Sequence, residues 1–157
     1  HNGIVLDHIK AGVGIKILGL FPTDMLKSKI DYASYIESPR LGMKEIIKIE
    51  NLDVDPKTLT KLALISPSIT ISIIRNGLVK EKIKPELPPV VEGVITCNNP
   101  KCITLKEKYL TSKFKVWLED NKVRQQCLYC EHIAKSPKLL RFEMKIGEGA
   151  ISGPFFD

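Results

Sequence analysis

The chain has 157 residues, of which 43% are hydrophobic and 27% are charged, a composition typical of a soluble globular protein with one domain or two small ones. It contains no apolar run near the length of about 20 residues that spans a bilayer, which excludes a membrane-spanning helix. A formal charge of +6 and a pI of about 9.1 favour an anionic partner, either nucleic acid, a nucleotide or an acidic protein surface.

The first third of the chain contains one clear strand. In residues 11–21 the apolar spacing fits one helical face, but two glycines and the β-branched residues also allow a strand. Residues 22–42 are predicted as a loop and strand region. Residues 43–51 alternate between two sides, which predicts a strand with one mostly buried face. The side chains expected on the other side of this strand are those of Lys44, Ile46, Lys48 and Glu50.

A capped helix is predicted at residues 55–65. Asp55 is a favoured N-cap residue, and Pro56 suits the first helical position because its missing N–H has no partner there. Apolar residues at helical spacing follow as far as Ser66 and Pro67, which end the pattern.

A hairpin is predicted after this helix. Residues 69–74 are rich in β-branched side chains and run into Asn76-Gly77, which is the strongest short signal for a two-residue hairpin turn. Residues 79–83 are therefore predicted as the returning strand.

Three prolines between residues 84 and 89 mark a boundary, because proline fits neither a helix interior nor a central strand. We predict two domains, residues 1–90 and residues 91–157. In the second domain a strand, its turn and a returning strand are predicted at residues 113–118, 119–121 and 123–126. The 27 residues after Cys130 contain several glycines and end in aromatic residues, which suggests an extended tail that docks on the protein.

Four cysteines form two close pairs in the second domain: Cys97 and Cys102 with four residues between them, and Cys127 and Cys130 with two. Two such pairs offer four thiolates to a tetrahedral Zn²⁺, and a metal held by four cysteines keeps no position for water or substrate. The spacing therefore predicts one structural zinc ion per chain. Disulfides are the alternative. They are disfavoured because nothing at the N-terminus resembles an export signal, so we expect a cytoplasmic protein with reduced thiols.

Several segments then resemble, together and in order, the regulatory chain of aspartate carbamoyltransferase. They are residues 4–9, residues 42–51, residues 62–64 with Pro67, residues 85–88, and the C-x4-C and C-x2-C-E patterns that end at Glu131. The specificity lies in the combination, because the cysteine pattern alone would indicate only zinc.

The resemblance implies an α+β chain with a ferredoxin-like N-terminal allosteric domain that binds CTP and ATP. A small antiparallel β zinc-binding domain would follow and dock on the catalytic chain. The chain would be a non-catalytic subunit in pyrimidine biosynthesis, without nucleic-acid or membrane partners. Regulatory-chain homodimers, formed through the allosteric domains, would link catalytic trimers. Because the chain starts at His1 and some family members join both chains, a piece of a catalytic–regulatory fusion stays an open alternative.

Carried over position by position, the family's effector site falls on Asp7, His8, Lys44, Ile46, Lys48, Ile74, Val79 and Lys82. Strand geometry is compatible with this, because Lys44 and Lys48 would lie on one side of a strand, about 13 Å apart, with Ile46 between them. The lysines, with Lys82, would neutralise a triphosphate, and Asp7 would accept from a ribose hydroxyl or a base amine. Two positions depart from the family: Ser72 replaces an expected asparagine and Gly77 an expected aromatic residue. The choice between CTP, ATP and UTP therefore stays open.

Two other classes of protein remain as alternatives. A zinc-ribbon nucleic-acid-binding protein is suggested by the basic pI and by the lysines around the cysteines at positions 101, 106, 108, 113 and 115. A stand-alone enzyme is disfavoured, because the chain has only three histidines, no phosphate-binding loop and no recognisable pair of catalytic carboxylates.

Overall fold

The computed structural model describes residues 1–22, 24, 27–134 and 138–139. The chain divides into two compact units, of which the first covers His1–Pro85 and the second begins at Glu86. The extended tail predicted after Cys130 lies almost entirely outside the described residues. Among the residues described, no helix combines the length and apolar character needed to cross a membrane.

The first unit is one antiparallel sheet with two helices. Its elements are β1 (Gly3–Lys10), α1 (Gly14–Leu20), β2 (Ile30–Ser38), β3 (Gly42–Glu50), α2 (Pro56–Ile65), β4 (Thr70–Arg75) and β5 (Leu78–Ile83). The strands lie in the order β2-β3-β1-β4-β5. The first six elements thus form a βαββαβ unit with β1 and β3 at its centre, which is the ferredoxin-like arrangement. The predicted fold class is confirmed for this unit.

One face of this sheet forms the core. Leu6 of β1 lies opposite Ile47 of β3 and Ile71 of β4, and all three side chains are fully buried. Ile17 of α1 and Leu62 of α2 are also fully buried. Each such side chain contributes about 1.5–3 kcal/mol by leaving water. We call the other side of the sheet the open face, and its residues on the central strands are Val5, Asp7, Lys44, Ile46, Lys48, Ser72 and Ile74.

The clearest local signals predicted their elements correctly. The carboxylate of Asp55 accepts a hydrogen bond from the Thr58 N–H at 2.7 Å, which caps α2 as expected. Asn76 and Gly77 connect β4 and β5 with φ angles of 53° and 76°. These positive angles are those of a type I′ turn, whose twist matches the flanking strands.

Two further regions had weaker local signals, residues 11–21 and residues 22–42. Residues 11–21 contain the helix α1, and Ile17 and Leu20 bury its inner side. Residues 22–42 contain the edge strand β2. For residues 11–21, packing against the sheet decides between the helix and the strand that the local sequence allows. For residues 22–42 the predicted strand is present.

Glu45 joins β3 to the start of α1. It lies on the core side of β3 and is only 6% exposed. Its carboxylate accepts hydrogen bonds from the N–H groups of Gly12 at 3.2 Å and Gly14 at 2.8 Å, and from the Tyr32 hydroxyl at 2.8 Å. Burial would raise the pKa of Glu45, but these three donors outweigh it and the net pKa is lowered. The carboxylate therefore stays charged at neutral pH and holds the β1–α1 connection on the sheet.

Gly14 completes this arrangement because it has no side chain. A Cβ atom at this position would lie 2.6 Å from Oε1 of Glu45 and 2.6 Å from the Tyr32 hydroxyl oxygen. Any larger residue would therefore displace one of the hydrogen-bonding groups.

The second unit is built from short strands. Its elements are β6 (Val90–Glu92), β7 (Ile95–Thr96), α3 (Ile103–Lys106), β8 (Lys113–Glu119), β9 (Lys122–Cys127), β10 (Ile133–Ala134) and β11 (Lys138–Leu139). One sheet has the order β10-β9-β8-β6, and β11 pairs with β7. The predicted hairpin is confirmed, with Asp120 and Asn121 at φ angles of 53° and 61° in its turn. The predicted small antiparallel β domain is thus confirmed as well.

The Glu45 cluster can be tested by removing one donor. We expect Tyr32→Phe to lower the free energy of unfolding by about 1–2 kcal/mol, because the buried carboxylate loses a hydrogen bond that nothing replaces. Urea unfolding followed by circular dichroism measures this. The matched control is Tyr35→Phe, since Tyr35 is 79% exposed and its substitution should change the free energy by less than about 0.5 kcal/mol. Equal effects of the two substitutions would contradict a structural role for the Tyr32 hydroxyl.

Candidate metal centre and effector surface

The four cysteines lie together in the second unit. Their sulfur atoms are all within 4.8 Å of one another. The Sγ atoms of Cys97 and Cys130 are 3.6 Å apart, and those of Cys102 and Cys127 are 3.7 Å apart. Four ligands at the Zn–S distance of about 2.3 Å occupy a tetrahedron whose edge is about 3.8 Å. The cluster therefore has the size of a four-thiolate zinc site.

The elements around the cysteines direct the four sulfur atoms toward one another. Cys97 directly follows β7, Cys102 precedes α3 and Cys127 ends β9. The Asn99 N–H donates to Sγ of Cys97 at 3.4 Å, and the Thr104 hydroxyl lies 3.0 Å from Sγ of Cys102. Such contacts orient thiolate ligands and stabilise their charge.

The pKa is raised for two of the four thiols, which therefore resist ionisation. Burial raises the pKa of Cys97 to about 12 and also raises the pKa of Cys127. Burial opposes ionisation of Cys130 too, but the His132 N–H stabilises the thiolate and the pKa falls to about 7. Since four thiolates cannot share this volume without compensation, a divalent cation suits the centre of the cluster.

The residues predicted as the effector site are brought to the open face of the first unit. Lys48 of β3 lies opposite Val5, Val5 opposite Ser72, and Ser72 opposite Lys82, so these four residues form one row across the sheet. At about 4.8 Å per strand, the backbones of Lys48 and Lys82 are about 14 Å apart. In the next row Ile74 lies opposite Val79. Both lysines and both apolar residues therefore belong to one surface.

Asp7 and His8 lie at one end of this surface, where β1 has a bulge. Oδ1 of Asp7 is 3.0 Å from Nζ of Lys44 and accepts the His8 N–H at 2.6 Å. Burial raises the pKa of Asp7, but the His8 amide and Lys44 reverse this and lower it overall. Nδ1 of His8 lies 3.1 Å from the Thr70 hydroxyl oxygen. Asp7 is therefore held as a carboxylate beside a half-buried lysine.

The other end of the open face contains a cavity of about 320 Å³. Lys48 and Ile74, two of the predicted residues, contribute to its walls. Its remaining lining residues include Asn2, Gly3, Val5, Glu50 and Gly77, which the sequence did not single out as ligands. The backbone of Gly3 lies between Glu50 and Ile74 in the register, and a Cβ atom at this position would clash with the backbone of Ile49 and Glu50, so only glycine allows this close approach of β1 to β3. For Gly77 the family resemblance had given a hint, because it marked this position as one where an aromatic residue was expected, and the Asn-Gly turn signal placed it at a strand end.

Residues 1–86 match the family model described as the allosteric domain of the aspartate carbamoyltransferase regulatory chain, and residues 89–139 match the metal binding domain of the same chain. The aspartate carbamoyltransferase regulatory chain of Clostridium botulinum is 45% identical over 133 residues, which cover 84% of this chain and 88% of the relative. That of Methanocaldococcus jannaschii is 41% identical over 130 residues, covering 83% and 85%. That of Pyrococcus horikoshii is 39% identical over 141 residues, covering 88% and 91%. Both domains and their order thus agree with these relatives, and the chain belongs to the family of aspartate carbamoyltransferase regulatory chains.

Proposed function

We propose that this protein binds CTP and ATP on the open face of its first domain and thereby changes the activity of an aspartate carbamoyltransferase catalytic chain. The observation that carries this proposal is the row from Lys48 to Lys82. It has one lysine at each end, with Val5 and Ser72 uncharged between them, and it lies beside a cavity. Phosphate groups need cations, and a nucleoside needs an apolar or neutral surface with a few polar groups.

The chain is a regulatory chain and not the catalytic subunit, as its sequence predicted. Effectors that bind at one site and change activity at another must bind two states of the assembly with different affinities. We infer that the effector shifts the assembly between a less active and a more active state. Asp7, His8, Lys44, Ile46, Lys48, Ile74, Val79 and Lys82 are the proposed effector contacts.

We propose that the metal-binding domain holds one Zn²⁺ through Cys97, Cys102, Cys127 and Cys130. The inter-sulfur distances of 3.6 and 3.7 Å support this, because they are close to the edge length of a tetrahedron of four sulfur atoms around Zn²⁺. When bound, zinc would crosslink β7, α3 and β9 and supply folding free energy to a unit that is made of short strands. With four cysteines as ligands, it would leave no position for a reacting molecule.

A catalytic-chain partner follows from membership of a regulatory-chain family. We propose that the zinc domain docks on that partner and that two regulatory chains associate through their allosteric domains, in the cytoplasm. A nucleic-acid-binding function is less well supported, because Phe114 and Val116, which alternate with lysines on β8, are buried. The face of β8 that carries these lysines has one partly exposed aromatic residue, Trp117, and not a row of them.

The proposed effector surface predicts that Lys48→Ala weakens CTP and ATP binding about tenfold, because one charge-assisted contact to the nucleotide is lost. Isothermal titration calorimetry of the full zinc-loaded chain measures this, first with CTP and then with ATP in competition. The two nucleotides are expected to exclude each other.

Lys16→Ala is the matched control for this experiment. Lys16 is an exposed lysine on α1, on the side of the sheet away from the open face, and its substitution should leave both affinities within about twofold. Equal loss in the two variants would indicate only a net-charge effect, and would contradict a site at Lys48.

The proposed zinc centre predicts that zinc binding releases protons, since burial keeps the pKa of the Cys97 thiol far above neutral until the metal arrives. The apparent zinc affinity should therefore fall as the pH is lowered. Calorimetry in buffers of different ionisation enthalpy counts the protons, and fluorescence of Trp117, the single tryptophan, reports folding of the domain.

Cys127→Ser should abolish stable zinc retention. Mg²⁺, which prefers oxygen ligands, serves as the control ion and should produce neither signal.

A further inference from the structure

Two Asn-Gly pairs lie side by side in the first unit. Asn2 precedes Gly3 at the start of β1, and Asn76 precedes Gly77 in the turn between β4 and β5. Oδ1 of Asn2 accepts a hydrogen bond from the Asn76 N–H at 2.9 Å. The Gly77 N–H donates to the His1 carbonyl oxygen, also at 2.9 Å. The two pairs are therefore neighbours although 74 positions separate their asparagines.

An asparagine followed by glycine is prone to spontaneous deamidation. The backbone nitrogen of the next residue loses its proton and forms a bond to the side-chain amide carbon, and the amide nitrogen leaves as ammonia. The resulting five-membered succinimide takes up one water molecule and opens to aspartate or isoaspartate. Water is the only co-reactant. Glycine favours the attack because it has no Cβ to hinder its nitrogen or to restrict its backbone torsions.

The first pair is held inside the sheet. Gly3 is buried, and its backbone is paired on one side with Glu50 of β3 and on the other with Ile74 of β4. The carbonyl oxygen of Asn2 also accepts a hydrogen bond from the Asn51 N–H at 2.9 Å. Attack by the Gly3 nitrogen therefore requires β1 to separate from both neighbouring strands.

The second pair lies at the end of an edge hairpin. Asn76 and Gly77 are exposed, and β5, the strand that follows them, is the last strand of the sheet and exposes five of its six residues. Exposed edge segments open locally at a lower free energy than the centre of a sheet. Opening of this hairpin releases the Gly77 nitrogen from the His1 carbonyl oxygen. The hydrogen bonds to residues 1 and 2 oppose that opening.

We propose that Asn76 is a site of spontaneous deamidation, and that its hydrogen bond to Asn2 slows the reaction. Asn2 itself is protected by the sheet, although it is also followed by glycine. Either product adds one negative charge at position 76. Isoaspartate also adds a methylene group to the main chain, which would distort the turn between β4 and β5.

The new charge would appear beside the cavity of the open face, because Gly77 is one of its lining residues. The charged side chains of the lining include those of Lys48 and Glu50, one of each sign. A carboxylate at position 76 would make this surrounding more negative and disfavour an anionic ligand. This consequence rests on the proposed effector function, whereas the chemical step does not.

The first experiment follows each asparagine of the full zinc-loaded chain by peptide mapping with mass spectrometry during incubation at mildly alkaline pH. We expect Asn76 to react at least about tenfold faster than Asn2, because the edge hairpin opens more readily than the sheet. Asn121 is an internal control, since it lies in the exposed β8–β9 turn but is followed by Lys122, whose side chain hinders attack. It should react more slowly than Asn76.

The same measurement in urea shows whether the fold causes the difference. Once the pairing is lost, Asn2 and Asn76 should react at similar rates, because both precede glycine. Equal rates at the two positions in the folded chain would overturn the proposal, and so would a folded chain in which Asn76 does not react.

Asn2→Ala tests the hydrogen bond. It removes the acceptor of the Asn76 N–H, and we expect deamidation at Asn76 to become about two- to tenfold faster. Ser34→Ala is the matched control, because Ser34 is exposed on β2 at the opposite edge of the sheet. Its substitution should leave the rate at Asn76 unchanged. Equal rates in the two variants would contradict a protective role of Asn2.

CTP titration of fresh and incubated chains separates the modification from the proposed function. The incubated wild-type chain and the fresh Asn76→Asp variant should bind CTP about three- to tenfold more weakly than the fresh wild-type chain. Asn76→Gln should keep its affinity on incubation, because glutamine would have to form a less favoured six-membered ring. Deamidation with unchanged CTP affinity would overturn the effect on the cavity. Deamidation at Asn76 in a chain that binds no CTP even when fresh would support the modification site and contradict the effector function.

Discussion

The arrangement of the first domain depends on the register of β3 between β1 and β2. Side chains of a strand alternate between two faces, so a slip of one residue would turn Lys44 and Lys48 into the core and expose Ile47 and Ile49. Burial of isoleucines opposes such a slip over the whole length of the strand. Glu45 opposes it too, because its carboxylate accepts from the N–H groups of Gly12 and Gly14, at the start of α1, only when it points to the core side. The same register that builds the core therefore exposes the lysines.

The second domain obtains its order in a different way. Its strands are short, with two residues each in β7, β10 and β11, and small cores of this kind rarely hold a fold alone. The β8–β9 hairpin brings Cys127 close to Cys102, and the end of β7 places Cys97 close to Cys130. A metal ion bound by all four would join parts of the chain that are 25 and 33 residues apart.

In the proposed function, the two domains have separate tasks within one regulatory chain. An allosteric subunit needs a surface whose ligand affinity differs between states of the assembly, and a second surface that transmits the difference to the partner. The open face suits the first task, because its charged residues and its cavity lie on the exposed side of the sheet. Contacts on this side can change while the core on the other side stays packed. A second domain crosslinked by a metal would suit the second task, because a rigid body transmits a displacement better than a fluctuating one.

The sequence by itself determined those features that depend on neighbours along the chain. Asp55 and Pro56 start α2, Asn76-Gly77 closes a hairpin, and each close pair of cysteines offers two neighbouring thiols, since each of these signals acts over a few residues. The alternation in β3 also showed which side its lysines would occupy. The family resemblance extended this to a set of effector residues, which stays a proposal.

Only the tertiary structure decided the features that depend on pairing between distant strands. The segment at residues 11–21 became a helix because Ile17 and Leu20 find a core there and Glu45 holds its start. Lys48 of β3 and Lys82 of β5 belong to one row across the sheet, because the register of β3, β1, β4 and β5 brings them there although they are 34 positions apart. No local pattern marks such residues as neighbours. Their proximity follows from strand order and register, and these are set by burial of the core.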